Sequence, residues 1–415
     1  MAKITFLSLV FPPDSVSTAQ IMGELAIELK KYGHDVNVIT TTPHYNRDLK
    51  AETKQPISNF FGKLIQKSDY HGIPVYHILM LKKGPNVLVR LLAWLNFHFL
   101  NTIASIKLLK NPDMLIVPSP PLTMGINAYL FSLIHKCNFI YNVQEIYPDY
   151  AIKLGVIKNQ PIIAILYALE KFVYKKSKAL TVIAPNMAKV ILKKGVSASK
   201  VHLISNFVDT GELFPQPKKN DFSKKNNLTD KFVVSYAGNM GTGQDLETFI
   251  ECADILRQNQ NIHFLMLGDG VLSGRLKNKV KELSLNNFTF LDYQPYSLMP
   301  QIYASSDLSL VPQLKEITDA AIPSKVYRIM ACGRTVLALT KPESDLANLI
   351  KEAHCGYIVN AGSPDDLSKT ILAAEKNRGQ VNSMGLSGRK YVEERYSRDH
   401  IAEQYHHLIL SLTIK

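Results

Sequence analysis

Covalent and metal reinforcement have little basis in this sequence. Its 415 residues include four cysteines, Cys137, Cys252, Cys332 and Cys355, scattered through apolar surroundings. None has the spacing of a disulfide framework or a zinc site, so they read as reduced core residues of a cytoplasmic protein. No export signal is expected: the apolar run at 4–10 is short and ends in Phe-Pro-Pro-Asp14, which reads as a buried strand followed by a loop. The loop at 11–18 has no glycine, and this excludes a dinucleotide fingerprint there. Acid is the scarcer charge. Asp and Glu total 35 against 48 Lys and Arg, leaving +13, a balance that favours anionic partners such as nucleic acid, acidic lipid or phosphorylated metabolites.

What is present is a regular alternation. The length exceeds one ordinary core and predicts two or three domains. Strand signals at 4–10, 35–41, 75–79, 114–117, 139–143, 180–183 and 201–204 alternate with helical segments such as 18–32. A linker is expected at 206–222, after which strands recur at 232–236, 263–267, 288–291, 308–311, 336–339 and 357–359. Helices are expected near 246–258, 272–283, 323–332 and 365–376, with two more at 388–394 and 399–412. The fold class is α/β, two Rossmann-like doubly wound domains with a cleft at the carboxyl ends of both sheets. The long connection at 43–70, with His44, Tyr45 and Arg47, reads as an irregular loop of functional length.

Candidate chemistry clusters in the second half. Lys325 lies in the first turn of the 323–332 helix, where a cation opposes the helix dipole, and Arg328 shares its face. Such a pair makes sense beside a bound anion such as a phosphate; a solvated basic edge is the plainer alternative. The run Gly238-Asn239-Met240-Gly241-Thr-Gly243-Gln244 joins a strand to a helix and lets backbone amides approach a phosphate, although it fits neither a dinucleotide nor a Walker motif. Gly268-Asp-Gly270 reads as a second turn lining a cleft. In the first half, Glu145 and Asp149 follow a strand end; either could orient or deprotonate a hydroxyl, and Asp149 is equally a helix cap. The apolar segment 87–109 carries Trp94, Phe97 and Phe99, with no acid anywhere from Tyr70 to Pro112. It is too polar for a membrane span, and it reads as an interfacial helix, a buried crossover helix, or both.

Together these motifs resemble the family 4 retaining glycosyltransferases of GT-B fold, from about Lys3 to Tyr405. The marks are Phe11-Pro-Pro, Gly33-His34-Asp-Val-Asn-Val-Ile-Thr40, Thr181-Val-Ile-Ala-Pro-Asn-Met187, Ile204-Ser-Asn-Phe-Val-Asp209, Tyr236-Ala-Gly-Asn239, Gly268-Asp-Gly270 and Met330-Ala-Cys-Gly333. Gly238–Gln244 and Pro323-Ser324-Lys325 are similar to the WbuB-like branch, L-fucosamine-type transferases of surface polysaccharide assembly. The sequence departs from the wider family in four places. Ser17-Thr18 stand where two glycines are common, Asn239 and Gln244 replace a phosphate-gripping Arg and Lys, Ala320 and Arg328 replace a glutamate pair, and Gln144 replaces a histidine.

The resemblance implies a UDP-sugar donor as substrate, no cofactor and no metal. Its base would lie near Asp292 and Tyr293, its diphosphate near Gly238, Gly241 and Lys325, and its sugar near Ser324 and either Asp319 or Glu316. The acceptor, an undecaprenyl-diphosphate-linked or free oligosaccharide, would enter near Ser17, His44 and Glu145. It also implies a cytoplasmic enzyme held peripherally on the anionic inner membrane, with no nucleic-acid partner. The competing readings are a soluble UDP-sugar epimerase of the same fold and a non-catalytic sugar-nucleotide-binding protein. Transfer activity is expected to persist in excess EDTA; its abolition would reveal a required metal.

Overall fold

In the computed structural model the apolar runs become strands of two separate sheets, each inside its own unit. The structure describes residues 1–14, 16–44, 49–80, 87–108, 111–317 and 321–413, and only the backbone of 49–51, 87–95, 105 and 107. One unit comprises Met1–Asn206 with Arg398–Lys415, the other Phe207–Ser397.

The first unit contains β1 (Lys3–Leu7), β2 (Asp35–Thr41), β3 (Ser58–Phe61), β4 (Ile65–Tyr70), β5 (Ile73–Ile78), β6 (Met114–Pro118), β7 (Asn138–Val143), β8 (Ala179–Val182) and β9 (Val201–Leu203). They form one sheet in the order β3-β4-β5-β2-β1-β6-β7-β8-β9. Central β1 is covered on both faces, which is why it reads as a continuous apolar run: Ile4, Phe6 and Leu7 are all fully buried. It stops at Leu7, three residues short of the expected 4–10 strand, where the Ser8 hydroxyl turns back to the Val10 carbonyl.

The 43–70 connection is not irregular. It holds helix Leu49–Lys54 and the antiparallel strands β3 and β4, which extend the sheet beyond β5. β3 is the outermost strand and exposed along its length, and β4, between β3 and β5, carries Gln66, Lys67, Ser68 and Asp69, so the continuous apolar run that marks the central parallel strands is missing. Tyr45 and Arg47 lie outside the described residues.

Helix Arg398–Thr413 belongs to this unit, packed on helix Ser17–Lys31, with the Arg398 guanidinium 2.7 Å from the buried Glu28 carboxylate. Its Tyr405 hydroxyl reaches the sheet. The Asn142 side-chain amide donates to that hydroxyl at 2.8 Å and to the Thr181 hydroxyl at 2.9 Å. Next to Asn142, the Gln144 and Asn206 carboxamides pair reciprocally at 3.1 and 2.9 Å.

In the second unit, β10 (Phe232–Ala237), β11 (Ile262–Leu267), β12 (Phe288–Leu291), β13 (Leu308–Pro312), β14 (Thr335–Leu339) and β15 (Gly356–Val359) are all parallel, in the order β12-β11-β10-β13-β14-β15. Alternate residues of β10 feed two cores: Phe232, Val234 and Tyr236 enter one and Val233 the other. Strand order reverses between β10 and β13, and at such a switch point the loops leaving the two strands diverge and open a crevice.

Three expectations change here. The 206–222 stretch is no loose linker, because Phe207, Val208 and Leu213 are buried and Arg389 donates to the Thr210 and Leu213 carbonyls. Helix Asp345–Ala353, capped by Ser344, was not anticipated, and the short helix expected at 388–394 runs from Arg378 to Arg395.

Tyr405→Phe removes a buried hydroxyl that holds Asn142 and should cost about 1–2 kcal/mol. Urea unfolding should show a lower midpoint at unchanged slope. An unaltered midpoint would mean that the network does not anchor the last helix.

Candidate functional site

At the carboxyl edge of the second sheet, two glycine turns lock together. Gly238, which follows β10, has φ +149°, and Gly268, which follows β11, has φ +129°. A Cβ on Gly268 would lie 2.0 Å from the Gly238 carbonyl, and one on Gly270 would lie 2.5 Å from the Met240 carbonyl. Only glycine allows this approach. The turns are then tied by hydrogen bonds from the Gly238 amide to Leu267, from Met240 to Asp269 and from Leu272 to Met240.

This geometry sharpens the expected anion loop. The amides of Gly238, Met240 and Gly241 are already engaged, the last with the Gln244 side-chain oxygen at 2.8 Å. Those of Asn239, Thr242 and Gly243 have no partner among the described residues. Met240 is corrected as a ligand contact: its side chain is fully buried in the sheet core. Gln244 shapes the loop through its oxygen, while Asn239 stands exposed at the apex.

Lys325 meets this loop from across the switch point. It is the first residue of helix Lys325–Ala331, which starts two residues later than expected and closes with Gly333 at φ +63°. Seven residues are too few for a strong helix dipole, so the lysine's own charge is the principal feature here. Its stem is partly exposed, but the ammonium is sealed from solvent and has no hydrogen-bond partner. It sits 3.9 Å from the centre of the Tyr236 ring, and a Cβ on Gly238 would be 3.0 Å from it. Burial and the neighbouring Arg328 cation push its pKa down to about 7. A buried donor of this kind is costly unless something completes it. The incoming chain segment is fixed as well: the Leu314 amide donates to the Gly243 carbonyl, and Gln313 to that of Ala321.

Sequence reasoning missed Tyr236. Its ring supports the ammonium, and its hydroxyl donates to the Asn239 carbonyl at 2.6 Å, coupling lysine and loop. Within β10 it reads as an ordinary core aromatic, and nothing local signals its partner. Arg328 lies over the Tyr296 ring at 5.3 Å, an aromatic contact equally invisible in sequence. Ser324 precedes the helix without capping it through its side chain.

Of the remaining candidates in this unit, Asp292 follows β12 and is 3.1 Å from the Lys277 ammonium, and Tyr293 beside it is 54% exposed. Gly268 is linked to that strand end through its amide to the Leu291 carbonyl. Glu316 is exposed, and Asp319 lies outside the described residues.

In the first unit, Glu145 follows β7. Burial raises its carboxyl above the usual range, and no described residue pairs with its side chain. Asp149 proves to be neither cap nor free carboxylate. It pairs with Lys194 at 2.6 Å and accepts from the Tyr167 hydroxyl at 2.5 Å, while the same ammonium holds buried Glu170. It is a structural anchor. His44 is occupied with its own turn, 2.9 Å from the Thr41 hydroxyl, and its amide donates to Asp14. Ser17 is an exposed first residue of its helix.

Comparison with known proteins agrees with this architecture. Residues 19–212 match the model of Glycosyltransferase Family 4, and residues 217–391 that of Glycosyl transferases group 1. The chain is 24% identical to WcaI of Escherichia coli (strain K12), named as a colanic acid biosynthesis glycosyl transferase, over 97% of this chain and 98% of that one. It is also 24% identical to WbjE of Pseudomonas aeruginosa, named as a glycosyltransferase, over 69% of each. Among solved structures, Anabaena HepE in complex with UDP and glucose superposes with TM-score 0.75 at 15% identity, covering 99% of this chain and 100% of that one.

Lys325 has a consequence for stability that needs no ligand. Its folded pKa of about 7 lies below the ordinary lysine value of 10.5, so between these limits the folded chain binds fewer protons than the unfolded. The penalty it imposes is complete below pH 7 and fades as pH rises through that window. Lys325→Met should therefore stabilise the free protein by a few kcal/mol near pH 6, with the gain shrinking toward pH 10. A gain independent of pH, or a loss, would show that the ammonium is not desolvated.

Proposed function

The chain is a GT-B glycosyltransferase with a family 4 amino-terminal region and a group 1 carboxyl-terminal region, and on that premise we propose that it moves a sugar from a UDP-sugar to a lipid-linked or free oligosaccharide acceptor in bacterial surface polysaccharide assembly. The observation that carries the donor assignment is the sealed, unpartnered ammonium of Lys325 beside Gly238. A diphosphate in that crevice would supply the charge it lacks, and the amides of Asn239, Thr242 and Gly243 would complete the anion's shell.

In this reading the protein works chiefly on the leaving group. As the bond between the sugar carbon and the diphosphate oxygen breaks, negative charge grows on the phosphate, and a fixed cation in a water-poor site stabilises it without reorganising. The transferred sugar keeps its anomeric configuration, the departing diphosphate taking the acceptor proton on the same face. Arg328 adds positive charge on the Lys325 side, Tyr236 fixes the lysine's position, and the base lies toward Asp292 and Tyr293. Glu145, raised toward neutrality by burial, orients the acceptor hydroxyl. The donor sugar is an N-acetyl-fucosamine-type amino sugar, and the enzyme works peripherally on the cytoplasmic face of the inner membrane. The name of WcaI and the chain's +13 charge support this setting.

Two measurements test it. In a thermal-shift panel, UDP-sugars should raise the melting temperature and sugars on other nucleotides should not. Lys325→Ala should lower kcat with the best donor by roughly 10²-fold through lost stabilisation of the leaving diphosphate. Unchanged turnover would remove Lys325 from the mechanism.

A further inference from the structure

The basic charge of this chain is unevenly distributed. Residues 151–200 contain ten lysines and a single acid, Glu170, and so account for nine of the thirteen net positive charges. Glu170 is buried under Lys194, and the nearest upstream acid, Asp149, is held by the same ammonium. Within 151–200 no other carboxylate offsets the lysines.

Within this segment, helix Gln160–Lys176 is covered on only part of its length. Its carboxyl-terminal half is packed: Val173 lies against Gly125 of helix Thr123–His135, and Phe172 meets Tyr129 edge-on at 5.1 Å. Glu170 and Tyr174 are buried beneath it. The amino-terminal half is not covered. Ile162 and Ile165 are 49% and 67% exposed, and Val156, in the preceding turn, is 72% exposed. Leu130, Leu133 and Ile134 of the abutting helix are also exposed. Lys153 and Lys158 are exposed on either side of Val156, Lys171 and Lys175 are exposed on the carboxyl-terminal half of the helix, and Lys176 lies over the rings of Tyr129 and Phe172.

We propose that this projection, apolar at its tips and ringed by lysine, is the surface with which the protein docks on an anionic lipid bilayer, inserting Val156, Ile162 and Ile165 at headgroup depth. The arrangement matches the physics of interfacial binding, in which apolar side chains enter the acyl boundary while basic ones meet anionic headgroups. A second copy of the chain is a poor occupant, since a two-fold contact would set lysines against lysines with no carboxylate between them. Among the described residues no helix is long and apolar enough to cross a membrane, so attachment is by insertion of side chains. This deepens the membrane setting of the function proposed above and relocates it. In helix Val87–Leu108, Phe97 is buried against the protein, Phe99 and Ile106 are exposed, and the side chain of Trp94 lies outside the described residues.

The test uses the full chain in co-sedimentation with phosphatidylglycerol-containing vesicles and with pure phosphatidylcholine vesicles. Wild type should bind the anionic vesicles at least tenfold more tightly and dissociate at ~1 M salt, where charges beyond about 3 Å are screened. I162E/I165E should lose at least tenfold in vesicle affinity, and F99S, on helix Val87–Leu108, should keep it. In all three proteins UDP should still raise the melting temperature, which controls for folding and reads the donor assignment separately. Vesicle binding with no UDP response would sink the donor assignment and leave the docking surface standing. Undiminished binding by I162E/I165E, loss confined to F99S, or no wild-type binding to anionic vesicles would overturn the proposal. So would a wild-type dimer that I162E/I165E abolishes, because the patch would then belong to a second copy.

Discussion

A lysine ammonium removed from water and given no partner is an expense that folding alone has no reason to accept. Lys325 is in that position, and the second unit is arranged around it. Strand order reverses beside β10, so the loops leaving β10 and β13 diverge and the helix start from one side can face the glycine turn from the other. Gly238 lacks a side chain where one would displace the ammonium, and Gly268 lets the neighbouring turn close behind it. Tyr236 supplies a favourable internal contact, the face of its ring. Local energy is given up here for a preorganised positive site, as is common where binding or catalysis is concentrated.

Around β7 of the first unit, charged and polar groups are instead closed on one another. Asp149, Glu170 and Lys194 neutralise one another, and Asn142, Gln144, Thr181, Asn206 and Tyr405 exhaust one another's hydrogen bonds at the ends of β7 and β8. Such closed networks fix backbone positions, including that of β7, from whose end Glu145 emerges with no partner of its own. The contrast is informative: of the two acids the sequence offers there, one is locked into the framework and one is left over.

The central parallel strands were readable because they are buried on both faces and therefore largely apolar, as β1 and β10 illustrate. Strands β3 and β4 were not, since the antiparallel end of the sheet is partly in water and β4 carries polar residues that resemble a loop. Lys325 was conspicuous because a cation is out of place at a helix start, a local rule visible in a few residues. What made it meaningful, the ring of Tyr236 and the seal around the ammonium, depends on contacts between distant segments. The same limit explains the misreading of Asp149, whose partner Lys194 lies three elements further on. It also explains Met240, whose neighbours are glycines but whose side chain turns into the core. The lysine excess at 151–200 was countable from the start; that a helix within this segment also projects bare Ile162 and Ile165 was not.

The central claim is that the Lys325 ammonium is held unpaired so that a donor diphosphate can pair with it. The most direct measurement is a crystal structure with UDP bound. The account expects the Lys325 Nζ to lie within about 3 Å of a β-phosphate oxygen, with the phosphates also accepting from the amides near Asn239 and Gly243. UDP bound in the second unit with no phosphate oxygen within about 4 Å of that ammonium would contradict it.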